Sequence, residues 1–251
     1  SKTEVLYEAP ARYRVKGTVL NIILSAENTS EQMIVQGETF GKYEQEHDAT
    51  FEERISGVIM NRRLSADIMY SHNHGQTFSP EQDKSVHTLA NGEAMDINNH
   101  GRTSSDYHSH TMRLGIDYSF AEKHNLSVVY NGSRSERDNK SAMAGTINSS
   151  AKRKHETWMH NAHVDYSLPF GLNASADYTY YESPSDQTIR SVMNGNRMDY
   201  NIKDQQRINV WRFILRQEHK LTDKLALNYG ADYKTSRDRS YMRYDIPPAG
   251  S

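Results

Sequence analysis

Hydrophobic and polar residues alternate with a period of two along many segments of this chain, the pattern of a β-strand with one apolar side. In segment 112–120, the even-numbered residues are apolar or aromatic, whereas Arg113, Asp117 and Ser119 interrupt them at odd positions. Segments 64–70, 126–131, 172–180 and 225–234 repeat the pattern. Helical spacing does not persist through any of them. We predict about nine strands, at 34–43, 48–59, 64–74, 104–120, 126–137, 152–167, 172–182, 206–219 and 225–237.

The connections between these strands are alternately short and long. Short turns are predicted at 61–63, 121–125, 168–171 and 220–224. Longer polar segments, rich in Asn, Ser, Asp, Gly and His, lie near 75–103, 138–150 and 183–205. Outer-membrane barrels have short periplasmic turns and long extracellular loops. The sequence therefore predicts an all-β fold, an antiparallel up-and-down meander that forms part of a large outer-membrane β-barrel.

The composition fits a barrel with a wet lumen. Hydrophobic residues make up 35% of the chain and the mean hydropathy is −0.86, yet there are 16 Tyr, which disagrees with a disordered chain. In a barrel, only every second residue contacts lipid. The net charge of −2 gives no basic footprint for nucleic acid, and the absence of Cys excludes disulfides and thiolate ligands.

Alternation assigns each strand residue to one of two walls. We expect carboxylates on the lumen-facing wall, paired with Arg113 or Lys234 across strands: Asp67, Asp117, Asp165, Asp177 and Asp232. We expect aromatic residues on the lipid-facing wall: Tyr70, Tyr118, Phe120, Tyr130, Tyr166, Tyr178, Tyr229 and Tyr233. Because the carboxylates are distributed at one per strand, we expect them to line the wall and not to form a catalytic site. We therefore predict that the protein is not an enzyme.

Strand direction argues against a complete small barrel. Strand 48–59 enters a short turn and therefore runs toward the periplasm, whereas strand 225–237 runs outward. Eight strands would leave both ends outside the cell, and a ninth makes the count odd. We expect the chain to be part of a larger barrel.

Residues 10–24 read Pro-Ala-Arg-Tyr-Arg-Val-Lys-Gly-Thr-Val-Leu-Asn-Ile-Ile-Leu. This segment resembles the end of the plug domain of TonB-dependent outer-membrane receptors, especially the outer-membrane β-barrel group common in Bacteroidetes. A Pro-Ala-Arg-Tyr start leads to a Gly and an apolar strand with an embedded Asn, here Pro10, Tyr13, Gly17 and Asn21. No TonB box and almost no plug accompany the motif.

The resemblance implies a fragment, with residues 1–30 as the end of the plug and its connection and 31–251 as a partial barrel. It implies import of a large or scarce ligand in the outer membrane of a Gram-negative bacterium, without a cofactor. The implied partners are outer-membrane lipid, a TonB-type energy-transducing protein acting on the full-length receptor, a surface lipoprotein, and an unknown ligand.

Two alternative hypotheses remain open. A soluble all-β binding or structural protein would bury the Tyr-rich faces in a core. A metal-binding surface protein would use the H-x-H pairs His72/His74 and His108/His110, since each pair places two imidazoles on one side of a strand. The direction of the Tyr-rich face separates the first alternative from the barrel.

Overall fold

The computed structural model describes residues 2–6, 19–23, 31–44, 48–88, 90–121, 124–193, 195–222 and 225–245. Every regular element in these residues is a β-strand. Strands β1 (Lys2–Leu6) and β2 (Val19–Ile23) form an antiparallel pair. None of the described segments forms a helix with the length and apolarity needed to cross a membrane.

The other nine strands form one antiparallel sheet in which each strand pairs with its neighbours in sequence. They are β3 (Gln32–Glu44), β4 (Asp48–Met60), β5 (Leu64–Thr88), β6 (Ala94–Ala121), β7 (His124–Gly145), β8 (Asn148–Ser167), β9 (Leu172–Met193), β10 (Asn196–Thr222) and β11 (Leu225–Asp245). The predicted all-β meander is confirmed. In the described residues β3 and β11 do not pair with each other, so the sheet is open.

Short turns connect the strands at one end of the sheet. At the first, the Asn61 side-chain oxygen accepts hydrogen bonds from the backbone N–H groups of Arg63 and Leu64, at 2.9 and 2.8 Å. Asn favours such turns because its side chain imitates a backbone carbonyl. At the 168–171 turn, Gly171 adopts a φ of 81°, which glycine tolerates without steric cost.

The long connections are strands and not irregular loops, which corrects the prediction for segments 75–103, 138–150 and 183–205. Strand β5 continues to Thr88 and β6 begins at Ala94, while β7 and β8 are separated only by residues 146 and 147. The sequence did not predict these strand extensions, because strands that are polar on both faces show no hydrophobic alternation. Their backbone ladders continue without interruption to the hairpin ends.

The sheet is a single layer with almost no core. Among the described residues, Ile214, at 5% exposure, is the only large hydrophobic side chain that is buried. Every side chain of β3 and β11 is exposed. No second layer covers either face within the part of the chain that the structure describes, so the faces themselves are the candidate functional surfaces.

Candidate functional site: two contrasting faces of the sheet

Directly opposed residues in an antiparallel pair share a face, so the register assigns every strand residue to one side. We call one side the polar face, because all five predicted wall carboxylates lie on it, in two adjacent rows. The first row runs Asp67, Gly115, Val129, His163, Asp177, Arg212 and Lys234. The second runs Ser65, Asp117, Ser127, Asp165, Ser175, Ile214 and Asp232.

Ion pairs and hydrogen bonds connect neighbouring strands across the polar face. Arg113 Nε donates to Asp67 at 3.0 Å, as predicted for a pairing across strands. Arg212, which sequence reasoning did not name, donates to Asp232, with Nε at 2.9 Å from Oδ1. These side chains are about one third to one half exposed. The polar face is therefore a hydrated wall of compensated charges.

The opposite side is the aromatic face, because the eight predicted aromatic residues lie on it. Three rows nearest the short turns are almost entirely apolar, and we call them the apolar band. They are Leu64, Tyr118, Leu126, Tyr166, Ala174, Leu215 and Ala231; then Ile59, Ala66, Ile116, Val128, Val164, Ala176, Phe213 and Tyr233; then Gly57, Ile68, Leu114, Tyr130, Ala162, Tyr178, Trp211 and Thr235.

The apolar band is uncovered. Ile68 is 50% exposed, Phe213 47% and Tyr233 63%, and many of their neighbours are exposed to a similar extent. Aromatic rings pack along the short-turn edge, where Phe120 meets Tyr118 edge-on at 4.6 Å between ring centroids. A continuous exposed apolar surface of this extent is rare on a soluble monomer and marks a contact with lipid or protein.

Two rows beyond the apolar band, the side chains of the aromatic face become largely charged. A continuous row of opposed residues there, which we call the polar row, crosses eight strands: Glu53, His72, His110, Arg134, Trp158, Glu182, Arg207 and Arg239. A mixed row lies between the two, with Tyr70, Met112, His160 and Tyr180 among its residues. The change from apolar to largely charged residues thus falls at the same level across β4–β11, with Trp158 as the aromatic member of the polar row.

Contacts along the polar row join neighbouring strands. The Arg134 guanidinium lies over the Trp158 ring, 4.4 Å from its centroid, and Arg207 donates to Glu182 at 2.6 Å. The hydrogen bonds from Arg207 and Tyr180 are the main reason that the pKa of Glu182 lies below its usual 4.5. Burial, together with the charges of His72 and Arg134, lowers the pKa of His110 below 6.5.

The structure brings the two predicted histidine pairs together on the aromatic face. His72 lies directly opposite His110, and His74 lies opposite His108. The His72 and His110 rings stack at 4.4 Å between centroids with an interplanar angle of 3°. Tyr70 Oη is 2.8 Å from His110 Nδ1, so the mixed row contacts this cluster.

Glu53 is a member of the histidine cluster that sequence reasoning missed. It lies opposite His72, with its carboxylate 3.2 Å from His72 Nδ1 and 3.3 Å from His74 Nε2. The predicted turn at 61–63 could not have identified it, because counting outward from residue 62 opposes Glu53 to Ser71, one residue away from its observed partner His72, and a shift of one residue moves a side chain to the other face. The alternation of β4 alone does not identify it.

Most of the predicted plug-end motif lies outside the described residues, including Pro10, Tyr13 and Gly17. Asn21 lies in β2, opposite Glu4 of β1. The apolar segment around Asn21 is thus a strand, as the sequence predicted, while β1 was not expected. No family model matches this sequence, and a comparison with curated proteins finds no match.

Proposed function

We propose that this chain is part of an outer-membrane β-barrel of the TonB-dependent receptor type. In this proposal the apolar band faces lipid, the polar face lines the lumen, and the long hairpins project outward to capture a large or scarce ligand. The observation that carries the proposal is the boundary on the aromatic face, where the apolar band gives way across β4–β11 to the largely charged polar row.

The length of the apolar band supports a membrane contact. Together with the apolar residues that flank it on the same face, the band extends on β6 from Phe120 to Met112 and on β11 from Leu225 to Tyr233, about nine residues on each strand. A tilted membrane-spanning strand needs about 9–11 residues. Strands β5 and β6 contain 25 and 28 residues, so each continues well beyond such a span. Long extensions on one side and short turns on the other are typical of outer-membrane barrels.

The open sheet supports a barrel larger than nine strands. Strand edges within a membrane leave backbone N–H and C=O groups without partners, at several kcal/mol each. Since β3 and β11 do not pair within the described residues, further strands must lie between them in a closed barrel.

The soluble alternative requires a cover for the apolar band. A sandwich places a second sheet about 10 Å away over its apolar face. No such layer covers the aromatic face among the described residues. The uncovered band therefore favours lipid over a Tyr-rich protein core.

The absence of Cys permits a direct test of the two faces. Single variants Ile116→Cys and Asp117→Cys place the same thiol at adjacent positions on opposite faces of β6. Each is spin-labelled, and the protein is reconstituted in phospholipid vesicles. We expect oxygen, which concentrates in lipid, to relax the label at position 116, and a water-soluble nickel chelate to relax the label at position 117.

A monodisperse folded protein in plain buffer, with the label at position 116 shielded from both relaxing agents, would overturn the membrane proposal in favour of a soluble core. The same scan carried to positions 104–108 gives the control. There the aromatic face has passed the boundary, so we expect both faces to be accessible to the nickel chelate.

The proposed transport cycle belongs to the full-length receptor. We propose that a TonB-type partner supplies energy, that a surface lipoprotein assists ligand capture, and that the ligand stays unmodified. Uptake by the full-length receptor should stop when the energy-transducing partner is deleted. Continued uptake in its absence would argue for a passive pore.

A further inference from the structure

We propose that Glu53, His72 and His74 form a binding site for a divalent transition-metal ion, for which Zn²⁺ is the probe. The site lies on the aromatic face, just beyond the apolar band, and connects β4 to β5. This proposal goes beyond the barrel function and does not depend on it, since a soluble sheet with the same register would hold the same site.

The separations between the ligand atoms match a metal site. One ligand atom from each of the three residues lies within 4.8 Å of the others. The Glu53 carboxylate lies 3.2 Å from His72 Nδ1 and 3.3 Å from His74 Nε2. Tetrahedral zinc with bonds of about 2.0–2.1 Å separates neighbouring ligand atoms by about 3.3 Å. A metal ion therefore fits between the carboxylate and the two nitrogens once the imidazole rings rotate to point at it.

The same distances are poor for direct ion pairs, because charge-assisted hydrogen bonds measure about 2.7–2.9 Å. Glu53 Oε1 has one long hydrogen bond, to His74 Nε2, whereas Glu53 Oε2 is buried and makes no hydrogen bond, with His72 Nδ1 as its ion-pair contact at 3.2 Å. Unsatisfied buried polar atoms are rare in proteins and call for an explanation such as a bound ion. A metal ion would engage the carboxylate and one nitrogen of each imidazole.

Ring packing brings the two imidazoles together. The His72 and His74 rings stack at 4.6 Å between centroids, and Phe51 stacks on His74 at 5.5 Å. The second pair lies alongside, with the His108 ring 5.7 Å from that of His74. Because an imidazole binds a metal in the plane of its ring, one of the two stacked rings turns out of the stack when both nitrogens bind the same ion.

The donor set selects the class of metal. Two imidazoles and one carboxylate suit Zn²⁺, Ni²⁺ or Cu²⁺, whereas Ca²⁺ and Mg²⁺ prefer oxygen ligands alone. Three protein ligands leave a fourth position for water or for a group from outside. The site thus anchors one hairpin of the sheet and keeps one coordination position open.

The test is isothermal titration of Zn²⁺ into the folded chain in detergent. We expect one ion per chain, and affinity lowered by about tenfold or more in both Glu53→Gln and His72→Ala/His74→Ala. The matched control His87→Ala/His100→Ala also removes two imidazoles, elsewhere on β5 and β6, and should leave the affinity unchanged. Far-UV circular dichroism verifies that each variant is folded.

Three results would overturn this assignment. The first is no binding to the parent chain. The second is an equal loss in the control variant, which indicates scattered surface histidines. The third is loss of binding only in His108→Ala/His110→Ala, which places the ion on the other pair. A thermal shift by Zn²⁺ in the parent that disappears in Glu53→Gln would give independent support.

Discussion

At the scale of single residues, the polar row shows how charge is accommodated next to an apolar surface. Several of its long side chains have a partner on a neighbouring strand, such as Arg134 over Trp158 and Arg207 against Glu182. Such pairs are partly exposed, and each contributes at most about 1 kcal/mol. Their collective effect is to define a charged border with little cost from unpaired ions.

Glu182 makes the acid sensitivity of this border measurable. Its folded pKa is lowered, chiefly by hydrogen bonds from Arg207 and Tyr180, so it contributes stability at pH values above its unfolded pKa near 4.5. That contribution is lost as the pH falls through the folded pKa. We expect Glu182→Gln to destabilise the protein at pH 7 and to be neutral well below pH 4.

Urea unfolding in detergent, followed by tryptophan fluorescence, measures this difference across the pH range. Glu81→Gln is a matched control in an exposed part of β5, and its effect should be small at every pH. If Glu182→Gln destabilises the protein equally in acid, the hydrogen-bond geometry of residue 182, and not its negative charge, stabilises the polar row.

At the scale of strands, the extensions beyond the apolar band are held by backbone ladders without a hydrophobic layer. Strand β5 pairs with β6 through 25 opposed positions, from Leu64 to Thr88. Its outer half carries polar residues on both faces, including His74, Gln76 and Asp83. The rigidity of these hairpins therefore comes from continuous hydrogen bonding and pairs of polar side chains across strands.

Hydrogen exchange distinguishes such hairpins from the irregular loops that composition predicted. We expect amides in 76–86 and 138–144 to exchange slowly, because they belong to a continuous ladder. Amides at the hairpin end 90–92 serve as an internal reference for fast exchange. Exchange in 76–86 as fast as at 90–92 would contradict the extended strands.

The sequence predicts the half of each long strand that lies next to the short turns. It misses the half that lies next to the long hairpin ends, for one physical reason. Alternation in 112–120 exists because one face there is apolar, and the same cue assigned Asp117 and Tyr118 to opposite faces. In 98–103 every residue is polar or glycine, so no hydrophobic alternation marks that part of the strand. Partners such as Arg212 for Asp232 also depend on register, which one strand does not reveal.

At the scale of the whole molecule, the sheet has two unlike ends. Short turns such as 168–171 lie at one end, and hairpins of up to 28 residues per strand reach the other. In the proposed barrel the turns lie in the periplasm and the hairpins lie outside the cell. In that arrangement the two ends face different compartments.

Thiol labelling on cells tests this orientation. We expect Ala90→Cys, at the end of the β5–β6 hairpin, to react with a membrane-impermeant maleimide on intact cells that express the full-length protein. Arg62→Cys, in the exposed turn before β5, should react only after the outer membrane is permeabilised. Labelling of position 62 on intact cells, with position 90 protected, would reverse the proposed orientation.

In the proposed barrel, the boundary between the apolar band and the polar row also determines how deep the sheet lies in the membrane. Sinking the sheet by two residues per strand, roughly 7 Å along the strand, moves the polar row toward the hydrocarbon. Arg134, Arg207 and Arg239 then approach lipid, where each basic side chain costs up to about 2–4 kcal/mol at the midplane. Raising the sheet by the same amount hydrates a complete apolar row. In the proposed barrel, the sheet itself thereby fixes the immersion depth, and each hairpin ends at a set height above the membrane.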